Sequence, residues 1–307
     1  MKFIKIILFF LILSACNFDP KPDKTVELII ELQDKNLKEQ QIHETVETFK
    51  RRLQKITSQY EVVSLNTTKI QITAATHYES DRFKKYILNP GKLKFYEVYK
   101  KKDIVPFLME VNELAKNDNS AIEPLFELIK GGTNPAMPNL LSVVAKDTTR
   151  INKFLSIKAA ESKLPVKRRY VKFLWGTQEK GTGYFPLYAL RQNNQNQAAL
   201  HGDVVVNAFT RYNELNIPVI SMQMNEEGSE KWADLTERAF QQRSNIAIVL
   251  NDQVYSAPGV ISGPIHGGRS EISGDFTVEQ TQDFANILMS GEIPKLKVLS
   301  FNVEEIK

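Results

Sequence analysis

The chain has 307 residues, a formal charge of +4 and 42% hydrophobic residues, the balance of an ordinary globular protein. That charge is too small for a nucleic-acid surface, which needs a concentrated face of Lys and Arg. A single cysteine excludes an internal disulfide.

The N-terminus predicts an export signal. Lys2 and Lys5 lead into the apolar run IILFFLIL. That run is shorter than the roughly 20 residues a membrane-crossing helix needs. It ends in Leu13-Ser14-Ala15-Cys16, which resembles a bacterial lipobox, so residues 1–15 read as a signal peptide and Cys16 as the lipidation site. An ordinary leader or membrane anchor with an incidental cysteine is the alternative. Residues 16–24, with Pro20 and Pro22, read as a tether.

From residue 25 the elements follow in order. Val26, Leu28, Ile30 and Leu32 alternate as in a strand. Ile42, Val46, Phe49, Leu53 and Ile56 recur at helical steps. Residues 60–65 and 69–74 read as a hairpin over Asn66-Thr67-Thr68. Ser80 is placed to cap a short helix that Asn89-Pro90-Gly91 stops, and 92–99 reads as a strand. This β-α-β-β-α-β order predicts a ferredoxin-like (split βαβ) unit within an α+β fold. Residues 101–199 are less regular. Helices are expected near 104–116, 120–130 and 148–162, with a hairpin at 175–190 and a polar loop at 192–197. Beyond residue 200, strands are expected at 217–224 and 245–250, with VYSAP across an Asn251-Asp252-Gln253 turn. Asn225 caps one helix. Thr277 and Gln280 form a capping box on another, which ends at Gly291. A last strand at 295–303 must join an existing sheet.

The chain shows little catalytic chemistry. Its four histidines lack metal-ligand spacing, and there is no phosphate-binding glycine motif, so neither metal nor cofactor is expected. Ser256 and His266 offer the one arrangement resembling a hydrolase. Ser256 sits in S-A-P rather than a G-x-S-x-G elbow, and turn punctuation explains the prolines and glycines around it. Asp252 reads as a turn residue bonding nearby backbone. Lys100-Lys101-Lys102 and Lys167-Arg168-Arg169 are short basic clusters, read as solvated surface or as contacts for anionic lipid or polypeptide.

Residues 225–294 resemble the first periplasmic domain of the SecD family of protein-export membrane proteins, at its head subdomain. Gly228, Trp232, Thr236, Ala247-Ile248-Val249-Leu250, Ser256-Ala257-Pro258, Gly274, Phe276-Thr277, Gly291 and Pro294 stand at that family's spacings. Arg51-Arg52-Leu53 and Leu93-Lys94-Phe95 resemble its base subdomain, and the middle region resembles fused SecD–SecF proteins of the Bacteroidetes group. Asn251 departs from the family's usual Asp, and Thr281 from its usual Ala. The resemblance implies a base at 25–100 completed by 295–307, a helical and irregular insert at 101–199, and an inserted α+β head at 200–294. Hinges would lie near 100–104 and 290–296. The family's membrane helices, which carry its proton-conducting acids, find no counterpart in the sequence.

The resemblance therefore implies a non-catalytic, periplasm-facing lipoprotein in a cell-envelope membrane. It would bind unfolded or translocating polypeptide, or dock on the Sec translocon. A regulator that pairs with full-length SecD–SecF, and a hydrolase using Ser256 and His266, stay open as alternatives. Tyr255, Val260, Ile261 and Ile265 are the candidate polypeptide-binding side chains, since they sit in a loop-rich region where apolar groups can reach the surface.

Overall fold

The computed structural model describes residues 21–34, 36–117, 124–131 and 134–306, so the lipobox and Cys16 lie outside the described residues. Among the described residues no helix is long and apolar enough to cross a membrane.

The first sheet follows from alternation. In β1 (Lys24–Leu32) every second residue is buried, with Val26, Leu28, Ile30 and Leu32 almost fully enclosed. Strands β2 (Tyr60–Ser64) and β3 (Lys69–Thr76) form the hairpin, and β3 lies antiparallel to β1. Helix α1 (Glu39–Gln54) sets Phe49 and Leu53 in the core with these strands, and α2 (Ser80–Ile87) adds Phe83 and Ile87. Ser80 is the first residue of α2 rather than its cap, since Glu79 holds the cap position and makes no side-chain bond there.

The next strand corrects the simple ferredoxin-like reading. Strand β4 (Leu93–Glu97) does not return to this sheet. The edge beside β1 is taken by β14 (Leu296–Glu305), giving the order β14-β1-β3-β2. The burial patterns explain the exchange. Strand β14 is half-buried on one face, as an edge strand covered from one side should be. In β4, Leu93 and Phe95 enter one core while Tyr96 enters another, so the strand needs cover on both faces.

Residues 101–199 are more than a helical linker, because they hold a sheet and a core of their own. Strands β5 (Leu141–Val144), β6 (Val171–Trp175) and β7 (Tyr184–Arg191) pair in the order β5-β7-β6. Helix α3 (Lys101–Asn117) buries Ile104, Phe107 and Val111 in the same cluster as Leu141 and Leu187. Of the helix expected at 120–130, one 3-10 turn at Leu125–Leu128 is described; Pro124 opens it and removes a helical N–H. The helix expected at 148–162 stops early as α4 (Thr148–Leu155), and a 3-10 turn follows at Lys158–Lys163.

Two sheets make up the remainder. Strand β4 lies between β8 (Leu200–His201) and β11 (Ile246–Leu250), with β12 (Gln253–Ser256) outside β11. A second sheet runs β13-β10-β9, built from β9 (Val205–Tyr212), β10 (Pro218–Met224) and β13 (Arg269–Ile272). Most β9 side chains are exposed, so hydrophobic alternation does not mark it in the sequence. Helix α5 (Glu226–Gln242) is capped by Asn225 Oδ1, which accepts from Gly228 N at 2.8 Å. Helix α6 (Val278–Ser290) carries the complete Thr277–Gln280 capping box.

The two halves meet at Arg52, which is 0% exposed. Its Nη1 donates to Ile87 O at 2.7 Å and to Asn89 O, and its Nη2 donates to Gly291 O at 3.0 Å. Arg51 Nε donates to Ser290 O at 2.9 Å. Burial pushes the Arg52 guanidinium down to about 10, so it stays charged at neutral pH. Gly91, at φ +73°, leaves room for this group: a Cβ there would stand 3.1 Å from Arg52 Nη2 and 3.2 Å from Gly291 O. Arg52→Met keeps much of the apolar stem but strands three carbonyls. At about 1–3 kcal/mol for each buried group left unsatisfied, it is expected to cost at least about 3 kcal/mol. Urea denaturation of the variant against the parent checks this, and an unchanged midpoint would refute the assignment.

Candidate functional site

The loop after β12 borders an apolar groove of about 280 Å³. Trp232 of α5 with Ile246 and Ile248 of β11 lines one part, and Val260, Ile261 and Ile265 line another. The loop is fastened at both ends. Asn245 Nδ2 donates to Ala257 O at 2.8 Å, and Ile246 N donates to Pro258 O at 3.0 Å. Further on, Ile265 N donates to Thr236 Oγ1 at 2.9 Å, and Met224 N donates to Gly268 O at 2.9 Å. Between the fastenings Gly263 takes φ +90°, and Ile261 is 87% exposed. Backbone bonds thus hold an apolar side chain in water. Trp232 itself is 4% exposed, and its indole Nε1 is buried with no partner among the described residues. The groove therefore combines apolar walls with a residue whose donor is unspent.

Three of the four side chains expected from the sequence meet here. Tyr255 does not. Its ring stacks on Phe276 at 5.8 Å and meets Phe284 edge-on at 5.3 Å, joining α6 to the sheet of β11 and β12. Burial raises the Tyr255 phenol above its usual range. Ser256 Oγ is buried without a hydrogen-bond partner, so no base activates it, and His266 is exposed. The acid–base pair a hydrolase needs is not assembled. Asp252 sits in the expected turn, at φ +61°, but its Oδ1 accepts from Lys172 Nζ at 2.7 Å instead of bonding nearby backbone. Among the described residues no three His, Cys, Asp or Glu side chains gather as metal ligands.

Sequence reading missed Trp232 and Thr236 as part of the site. Trp232 stands on the apolar face of α5 and reads as core. Nothing in its spacing says that its N–H is unpaired or that a loop some thirty residues away passes beside it.

Residues 186–295 match the model of the SecDF P1 head subdomain. This segment is similar to the SecDF P1 head subdomain. The match begins inside β7, ahead of the residue 200 expected from the sequence. The SecD translocase subunit of Rhodothermus marinus is 36% identical over 154 residues, 50% of this chain and 24% of that subunit. The SecD subunit of Magnetococcus marinus is 33% identical over 137 residues, 45% of this chain and 25% of its own length. The chain thus spans about a quarter of the length of these curated relatives. A solved structure of SecDF, described as a membrane component that enhances protein export, covers 89% of this chain and 98% of its own. It aligns with a TM-score of 0.55 at 18% identity. SecDF in a super-membrane-facing form aligns with a TM-score of 0.57 over 94% of this chain and 32% of its own, also at 18% identity. At that identity the solved structures speak for the fold. The groove beside the P1 head loop lies within the matched segment.

The two kinds of apolar residue around this loop predict opposite mutational behaviour. Tyr255→Ala removes a ring from a packed aromatic trio and is expected to cost about 3–5 kcal/mol. Ile261→Ser alters an exposed side chain and is expected to stay within about 0.5 kcal/mol. Thermal melts of both variants check the contrast. Equal losses would show that Ile261 is packed in solution.

Proposed function

We propose that this protein is a non-catalytic, periplasm-facing, membrane-associated component of Sec-dependent protein export, whose P1 head groove holds extended segments of translocating polypeptide. The observation that carries the reading is the groove beside Ile261. An unfolded chain presents single apolar side chains that a folded protein hides, and a small apolar groove takes them one or two at a time. A loop fastened at both ends loses little freedom on binding. Two relatives of this chain are named as translocase subunits, which favours polypeptide over a small metabolite as occupant. Association with the Sec translocon follows on the same ground.

Two variants test this reading. Ile261→Ser combined with Ile265→Ser removes two apolar contacts without touching the core. It is expected to weaken binding of a labelled, permanently unfolded apolar peptide by about tenfold, the equivalent of about 1.4 kcal/mol. Fluorescence anisotropy titration measures this, with a melting curve to show that the fold is kept. Equal affinity in parent and variant would dismiss the groove as the site.

We also propose Cys16 as the lipid attachment point, on the strength of Leu13-Ser14-Ala15-Cys16. Labelled palmitate fed to expressing cells is expected to mark the parent and not Cys16→Ser. Label retained in the variant would refute the assignment.

A further inference from the structure

Lys100-Lys101-Lys102 breaks a local rule. Lys101 opens α3, and the unpaired N–H groups at a helix start make that end positive. Acidic residues are favoured there, yet three cations stand in a row and only Asp103 follows them. Consistent sequences break such rules mainly at functional sites.

Two adjoining clefts, of about 360 and 540 Å³, meet over this helix start and share Lys100, Lys102, Arg243 and Ser244. Lys100, Lys102 and Arg243 make no ion pair with any carboxylate among the described residues. Lys101 is committed elsewhere, donating to Asn134 O at 2.8 Å. The acids facing the first cleft are Asp103 and the buried Glu97, whose Oε1 stands 3.6 Å from Arg191 Nε. That leaves cations in excess.

A second, independent observation points to a ligand. Among the described residues of this first cleft, Ser244 Oγ is buried with no hydrogen-bond partner, while Glu97 Oε1 and Arg191 Nε, which also lack a hydrogen bond, face each other as an ion pair at 3.6 Å. Ser244 is 4% exposed, and its hydroxyl is the neutral member of the three. Buried polar groups are nearly always paired, so the Ser244 hydroxyl asks for a missing partner.

We propose that this cleft binds a phosphate group. Its oxygens would be met by Lys100, Lys102 and Arg243, by the N–H groups at the start of α3, and by the Ser244 hydroxyl. The second cleft continues past Val105, Pro135, Met137 and Pro138, of which Val105 and Met137 are exposed. A phosphate attached to an apolar body, as in a phospholipid, fills both clefts, whereas inorganic phosphate fills the first alone.

The test uses the full chain and two probes. Inorganic phosphate at about 10 mM, against chloride at matched ionic strength, is expected to raise the melting temperature and give a measurable heat of binding. Vesicles of phosphatidylglycerol, against phosphatidylcholine, are expected to float the protein if the source is a lipid headgroup. Lys100→Gln, Lys102→Gln and Arg243→Gln together should abolish both signals. The same change at Lys167, Arg168 and Arg169 should leave them intact. Lys102 is exposed, so Lys102→Gln alone keeps the fold and should weaken phosphate several-fold, as should Ser244→Ala. A phosphate signal without vesicle binding assigns the cleft to the free anion. The proposal is overturned if the parent gives neither signal, if both signals survive in the triple variant, or if the 167–169 variant loses them equally.

Discussion

A single buried guanidinium, that of Arg52, holds the two halves of this fold together. It leaves α1 and reaches with Nη1 and Nη2 to three backbone carbonyls from two distant places, the end of α2 and the end of α6. No carboxylate takes part. A charge in such a place is tolerable because charge-assisted bonds to peptide oxygens replace its water. They also satisfy carbonyls that helix ends leave unpaired. Tyr86 OH, donating to Arg52 O at 2.9 Å, holds the backbone of the same residue. Helix α6 is locked a second time by Arg82, whose Nε and Nη2 each reach the Asp283 carboxylate at 3.0 Å. Asn251 supplies a third link. Its Oδ1 accepts from Lys92 N and its Nδ2 donates to Asn89 Oδ1. An aspartate there would accept from Lys92 equally well but would have no N–H for Asn89.

This junction explains why the first sheet is completed by the end of the chain. After α2 the chain turns at Asn89-Pro90-Gly91 beneath Arg52 and enters β4, which pairs with β11 at Phe95↔Ile248. It returns through α6, passes Arg52 again at Gly291, and only then lays β14 along β1. The outgoing and returning passes touch directly, as Ile293 N donates to Pro90 O at 3.0 Å. The ferredoxin-like sheet is thus preserved in shape while one of its strands is exchanged. The strand buried on both faces moves to the sheet that has cover on both sides, and the one-sided strand takes the edge.

Much of this was legible in the sequence, and the limit is physical. Period-two and helical spacings report how one segment meets a core, and they locate β1, α1, β3 and α6 within about three residues. Capping signals at Asn225 and Thr277 were read correctly because a cap is a local bond. Spacing does not say which core a strand meets. Strand β4 therefore looks like the next member of the first sheet, and of the insert's sheet only the hairpin that holds β7 is legible, with β5 hidden among short, irregular elements. The candidate site divided along the same line. Val260, Ile261 and Ile265 come together because one loop carries them, while Tyr255, a few residues earlier, is drawn away by Phe276 and Phe284. Arg51-Arg52-Leu53 stood out as a motif, but its partners lie far along the chain, beyond the reach of any local rule.

The apolar groove and the cationic cleft are separated by very little backbone. Ser244 belongs to the cleft, Ile246 to the groove, and Asn245 joins them. Asn245 O accepts from Val98 N at 2.8 Å on the α3 side, and its Nδ2 fastens the groove loop at Ala257 O. Arg243, just before, is held at φ +50°, a left-handed conformation that closes α5 and fixes where this segment starts. Interiors are close-packed, so a displacement on one side of so short a link has little slack in which to dissipate. Whatever shifts Ser244 must either move the anchor of the groove loop or break the Asn245–Ala257 bond. The two surfaces therefore share one short segment, even though one is built of isoleucines and the other of lysines.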